Sequence, residues 1–95
     1  MFVVLLRFSD NKSAAADHMA AHQDWVRRGA TDGVFVLVGS IRPGLGGALI
    51  ASGISREEIA QRVAEDPFVV HGVVAADIVE IEPNITDPRL SFLAG

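Results

Sequence analysis

The apolar residues of this chain are concentrated in segments that read as strands, and too few remain in helical segments to cover both faces of a sheet. Residues 2–6, 34–38 and 69–76 are nearly unbroken apolar runs, with a shorter one at 48–51. They are rich in β-branched and aromatic residues, which suit a pleated surface. Continuous runs of this kind belong to strands covered on both faces, whereas a half-solvated sheet alternates apolar with polar residues. Only two stretches have helical character, enough for one face of a four-stranded sheet. The other face needs a cover, and the simplest is a second copy of the chain. Two sheets that face each other tend to enclose clefts, where a ligand site is expected.

At 95 residues the chain is one small domain, able to bury roughly 60–65% of the surface its unfolded form exposes. The composition is 49% hydrophobic with a mean hydropathy of +0.33, which fits a core continued across a subunit interface. Twelve acids against eight bases give a net charge of −4. With one lysine, Lys12, and one adjacent basic pair, Arg27–Arg28, no basic cluster is present to neutralise phosphates, so no nucleic-acid partner is expected. The absence of cysteine excludes disulfides, thiolate nucleophiles and Cys-based zinc sites. The apolar run after Met1 stops at Arg7, too short for a membrane span or a signal-peptide core, so a cytoplasmic location without membrane association is expected.

The expected elements follow in order. Residues 2–8 form a strand, Ser9-Asp10-Asn11-Lys12-Ser13 a polar turn, and residues 14–28 a helix that Gly29 stops. A second strand covers residues 34–41. Arg42-Pro43-Gly44-Leu45-Gly46-Gly47 reads as a hairpin loop, because a phosphate cradle needs a following helix and here a strand follows, at about residues 48–52. Ser55-Arg56-Glu57-Glu58 is a capping box opening a second helix. Asp66-Pro67 ends that helix, since proline disfavours helical geometry in the residue before it. The fourth strand starts at Val69 or Val73 and runs to Glu82. A domain at 1–83 is then followed by a tail at 84–95, whose Leu90, Phe92 and Leu93 are expected to dock on this subunit or its neighbour. The order strand-helix-strand-strand-helix-strand predicts an α+β, ferredoxin-like βαββαβ sandwich with both helices on one face. Such sheets pair as a dimeric α+β barrel.

With these pieces in place the chain resembles the YciI-like (YCII-related) family. The resemblance rests on His22-Gln23-Asp24-Trp25-Val26, Gly29, Asp32-Gly33-Val34-Phe35-Val36-Leu37-Val38-Gly39-Ser40 and Glu65-Asp66-Pro67-Phe68, followed by Gly72-Val73-Val74 and Val79-Glu80-Ile81-Glu82-Pro83. It covers about residues 1–83 and implies the dimeric α+β barrel again. It also implies a His–Asp pair in a cleft, falling by position on His22 and Asp66, and, from one branch, dehydrochlorinase chemistry on chlorinated hydroxyquinols.

The residues themselves allow competing readings. An imidazole with a reference pKa of about 6.5 exchanges protons near neutrality, and a carboxylate on one ring nitrogen fixes its tautomer. His22 serves that role or packs half-buried beside Trp25. Asp66 orients it or forms a turn at the helix end, where its charge opposes the helix dipole unless a cation such as protonated His22 relieves it. His18 and His22 have the spacing of two metal ligands, with His71 or Asp66 as a third, but no second anchor has ligand spacing and no metal is expected. Ser40 lines the cleft or starts a turn, without a base to make it a nucleophile. Arg7 and Arg42 bind an anionic group or are solvated. The expectation is a small homodimeric acid–base enzyme of elimination or isomerisation type, with no cofactor. His22 and Asp66 are the catalytic candidates, and Arg7, Trp25, Ser40 and Phe68 the substrate-binding ones, around a small cyclic or aromatic molecule. The competing expectation is a non-catalytic binding or accessory module, with a purely structural dimer third.

Overall fold

The computed structural model describes residues 1–94; Gly95, the last residue of the expected tail, lies outside the described residues. The strands are β1 (Phe2–Phe8), β2 (Phe35–Ile41), β3 (Gly46–Ala51) and β4 (Val74–Glu80), and the helices α1 (Ala15–Thr31), α2 (Arg56–Ala64) and the one-turn α3 (Pro67–Val70). The sheet order is β2-β3-β1-β4, antiparallel throughout. With α1 crossing from β1 to β2 and α2–α3 from β3 to β4, this is the ferredoxin-like α+β arrangement.

The register sorts side chains into two faces, because directly paired residues point the same way. Phe2, Val4 and Leu6 of β1, Phe35 of β2, and Leu49 and Ala51 of β3 are buried under the helices together with Trp25, Ile59, Val63 and Phe68. A side chain of this kind contributes about 1.5–3 kcal/mol when fully buried. The opposite face carries the row Leu37–Ile50–Val3–Val79 and then the row Gly39–Ala48–Leu5–Asp77. Leu37 is 54% exposed and Val79 41%, so in a single chain this second face is bare, as the apolar runs require.

Local chemistry overrides three expected boundaries. Gly29 does not stop α1; the helix continues to Thr31, and Gly33 takes the left-handed turn with φ 75°. Gly29 is small for a packing reason, since a Cβ there would overlap the Phe35 ring. Val69 and Val70 belong to α3 and not to the fourth strand, which begins only at Val74, beyond the positive-φ Gly72. Asp66-Pro67 therefore starts a helix as well as following one: Asp66 is the N-cap and Pro67 the first residue, where a missing N–H costs nothing. Half of the expected capping box forms, with the Glu58 N–H donating to the Ser55 hydroxyl at 3.1 Å.

The tail folds into a 3₁₀ segment at Pro88–Leu93, capped by Asp87. Leu90 and Phe92 stay 45% and 54% exposed, so they are not buried on their own subunit.

Candidate functional site

Helix α1 packs across the sheet through its small and aromatic residues, and the face that does so carries His18, His22, Trp25 and Gly29 at spacings of four, three and four. Trp25 and Gly29 are buried at its C-terminal half. Toward its N-terminal half α1 leaves a gap over β1–β3, a cleft of about 410 Å³. Its walls are apolar: Leu6, Phe8, Val26, Val38 and Phe68. Its polar side chains are His22, Gln23 and Ser40. None of the residues lining it is an acid, a lysine or an arginine. The volume suits a single small ring, within the usual range of ligand pockets.

His22 and Asp66 meet at the wall of this cleft. His22 Nδ1 lies 2.7 Å from Asp66 Oδ1; the Asp66 side chain is fully buried and that of His22 is 17% exposed. The same Oδ1 accepts the Phe68 N–H at 3.0 Å, which completes the α3 cap. An ionised carboxylate only accepts, so the proton in the His22 contact sits on Nδ1 and Nε2 is left with its lone pair when the ring is neutral. No group among the described residues bonds Nε2. The Phe68 ring lies flat on the imidazole, with centroids 4.0 Å apart and planes 5° apart, holding it from one side. Asp66 Oδ2 is buried and has no partner among the described residues. The carboxylate thus caps the N-terminus of α3, where a negative charge is favoured, while its own backbone N–H still donates to the Val63 carbonyl at the end of α2, the helix end expected from the sequence.

The other expected site residues divide. Phe68 and Ser40 line the cleft. Trp25 does not: it is 3% exposed, its indole N–H donates to the Arg62 carbonyl at 3.0 Å, and its ring packs 5.0 Å from Phe35. It forms the core behind His22, at a centroid distance of 6.0 Å. Arg7 alternates with Leu6 and Phe8 along β1 and so projects from the bare face, on the far side of the sheet from the cleft. The cleft itself lies between α1 and the sheet of one chain; a cleft between two facing sheets would need a second copy of the chain. Gln23 was missed; with Met19 and Val26 it makes a cleft-facing stripe of helical spacing, legible only once the helix is docked. His18 pairs with His71 and not with His22. Among the described residues no three His, Asp or Glu side chains group as a metal site requires, and no helix is long and apolar enough to cross a membrane.

A second hollow of about 350 Å³ opens between α1 and α2 beside Trp25, lined by Arg28, Asp32, Glu58 and Arg62. Its charges are partly spent on each other, Arg62 lying 3.1 Å from Asp32. It contains no histidine, and we regard the α1–sheet cleft as the better site.

Fold and site together describe a ferredoxin-like sandwich that presents a carboxylate-bonded histidine to a small apolar cleft. The chain belongs to the YCII-related domain family, whose model matches residues 1–82. Among solved structures it is similar to the 5-chloro-2-hydroxyhydroquinone dehydrochlorinase TftG from Burkholderia phenoliruptrix AC1100, in complex with 2,5-dihydroxybenzoquinone. The two share 19% identity with a TM-score of 0.67, over 85% of this chain and 93% of the other. At that identity the likeness establishes the fold alone. No curated protein matches.

Proposed function

We propose that the α1–sheet cleft is an acid–base site, with His22 as the group that takes and returns a proton and Asp66 as the residue that orients it. The 2.7 Å contact between Nδ1 and a fully buried carboxylate oxygen carries this reading. It assigns the proton to Nδ1, leaves Nε2 to accept one from a guest, and stabilises the imidazolium that results. A positioned acid–base group of this kind contributes typically about 10²–10⁴-fold in rate. The apolar walls and the absence of lining cations favour a small cyclic or aromatic substrate, with Ser40 and Gln23 as hydrogen-bonding partners for its polar groups. Elimination or isomerisation suits a site whose resource is one proton-transfer group, and the similar fold of a dehydrochlorinase is consistent with elimination.

The bare sheet face supports a homodimer. Its rows of Leu37, Ile50, Val3 and Val79 form an apolar surface, and Arg7 and Asp77 bring opposite charges to the same face. In this arrangement Arg7 serves the interface, not the substrate.

His22→Ala is the direct test, with turnover and ligand affinity measured side by side on a small-ring substrate. Loss of turnover with affinity retained supports the enzyme. Loss of affinity with no turnover in the wild-type protein points to the non-catalytic binding module instead.

A further inference from the structure

One turn before His22 on α1, the His18 ring lies flat against the ring of His71, with centroids 3.8 Å apart and planes 5° apart. His71 is the residue that closes α3. The two ring pairs, His22 on Phe68 and His18 on His71, are therefore successive rungs between the same two elements, spaced four residues on α1 and three on α3. The inner rung lies beside the His22–Asp66 hydrogen bond. The outer rung uses a half-buried and an exposed histidine, and neither lines the cleft.

A helix of one turn has almost no stability of its own in water, so its pose is set by what fastens it. This matters because α3 carries both Asp66, its cap, and Phe68, its second residue. On its far side the turn after β1 holds the exit of α3: the Asn11 side-chain amide donates to the His71 carbonyl at 3.1 Å, and the Ser9 hydroxyl to the Val73 carbonyl at 3.0 Å. Those bonds fasten the backbone leaving α3 to the turn that leads, through the 3₁₀ segment Lys12–Ala14, into the start of α1, but they make no side-chain contact with the α1 face that carries His18 and His22. Beyond the Asp66 hydrogen bond and the Phe68 ring, which are the groups being positioned, the aromatic contact that ties α3 to α1 is the His18–His71 stack.

We propose that His18 and His71 are positioning residues, a ring clamp that holds α3 against α1 so that Asp66 keeps its bond to His22. The activity consequence rests on the proposed role of His22; the geometric consequence does not. The test is proton NMR of ¹⁵N-histidine-labelled protein, reading solvent exchange of the His22 Nδ1–H in the folded state. In His71→Ala and in His18→Ala this exchange accelerates by about three- to tenfold, the change expected from losing one ring stack. In His71→Phe, which keeps a flat ring, it stays at the wild-type rate. A role confined to overall stability would lower the melting temperature of the alanine variants without changing this exchange. Wild-type exchange in either folded alanine variant overturns the clamp, and so does acceleration in His71→Phe equal to that in His71→Ala. Should His71→Ala not fold, His18→Ala reads the same contact from the other side under the same criterion. A wild-type protein without turnover sinks the catalytic proposal and leaves this one standing.

Discussion

Replacing Asp66 by alanine and by asparagine separates two tasks that one oxygen performs. Oδ1 accepts both the Phe68 N–H at 3.0 Å and the His22 ring N–H at 2.7 Å, from a side chain with no exposure. Losing an N-cap acceptor costs about 0.5–2 kcal/mol, and losing a hydrogen bond to a charged group about 1.5–3 kcal/mol. The partnerless Oδ2 already carries a burial cost of about 1 kcal/mol that alanine removes, so the net loss for Asp66→Ala comes to about 1–4 kcal/mol. Asparagine keeps an acceptor oxygen at both bonds and loses the charge assistance, about 1 kcal/mol. Urea unfolding at fixed protein concentration measures both, since self-association would couple to the midpoint. With a slope of roughly 1.3 kcal/mol per molar urea, Asp66→Ala lowers the midpoint by about 1–3 M and Asp66→Asn by less than Asp66→Ala, under about 1 M. Equal midpoints for the two variants would mean that the shared acceptor contributes nothing to the fold.

Other consequences follow from single contacts. Gly29→Ala drives a methyl group into the Phe35 ring and costs about 1–3 kcal/mol by overpacking, read as a lower melting temperature. Leu37→Lys, on the bare face and 54% exposed, leaves monomer stability within about 0.5 kcal/mol, and on the proposed pairing through this face it shifts sedimentation from dimer toward the 10.1 kDa monomer. The side chain and the backbone N–H of Arg89 hold the Asp87 carboxyl below the usual aspartate range. Its contribution to the tail's 3₁₀ segment is therefore present above the ordinary aspartate value and lost as pH falls through the depressed one. Carboxyl NMR titration shows this, and Arg89→Ala returns Asp87 toward the ordinary range.

The strands were legible because their apolar runs are long relative to the turns between them, and β1 falls on residues 2–8 as read. The ferredoxin-like arrangement followed from the sequence of elements. What misled was punctuation. Gly29 has the composition of a stop signal, but its smallness answers to Phe35, a residue six positions on that only docking brings over it. Asp66-Pro67 reads equally well as the end of one helix or the start of the next, and a single turn such as α3 has no periodicity to decide between them. The pairing of position 22 with position 66 came from the family resemblance, supported by a topology that ends the second helix at the sheet edge where the first begins; the residues alone left His22 a choice between packing and chemistry. Arg7 and Trp25 illustrate the remaining limit. Their residue types suit a ligand site, but the strand's alternation sends Arg7 through to the other face, and the turn of α1 places Trp25 under the core.

The proposed site requires that a guest ring occupy the α1–sheet cleft within reach of Nε2 of His22. A crystal structure of the protein soaked in hydroquinone measures this directly. Density is expected between Phe68 and Val38 with a hydroxyl in hydrogen-bond distance of Nε2, the Asp66 contact remaining intact. Hydroquinone seated instead in the Arg28–Arg62 hollow or on the bare sheet face, with the cleft empty, would contradict it.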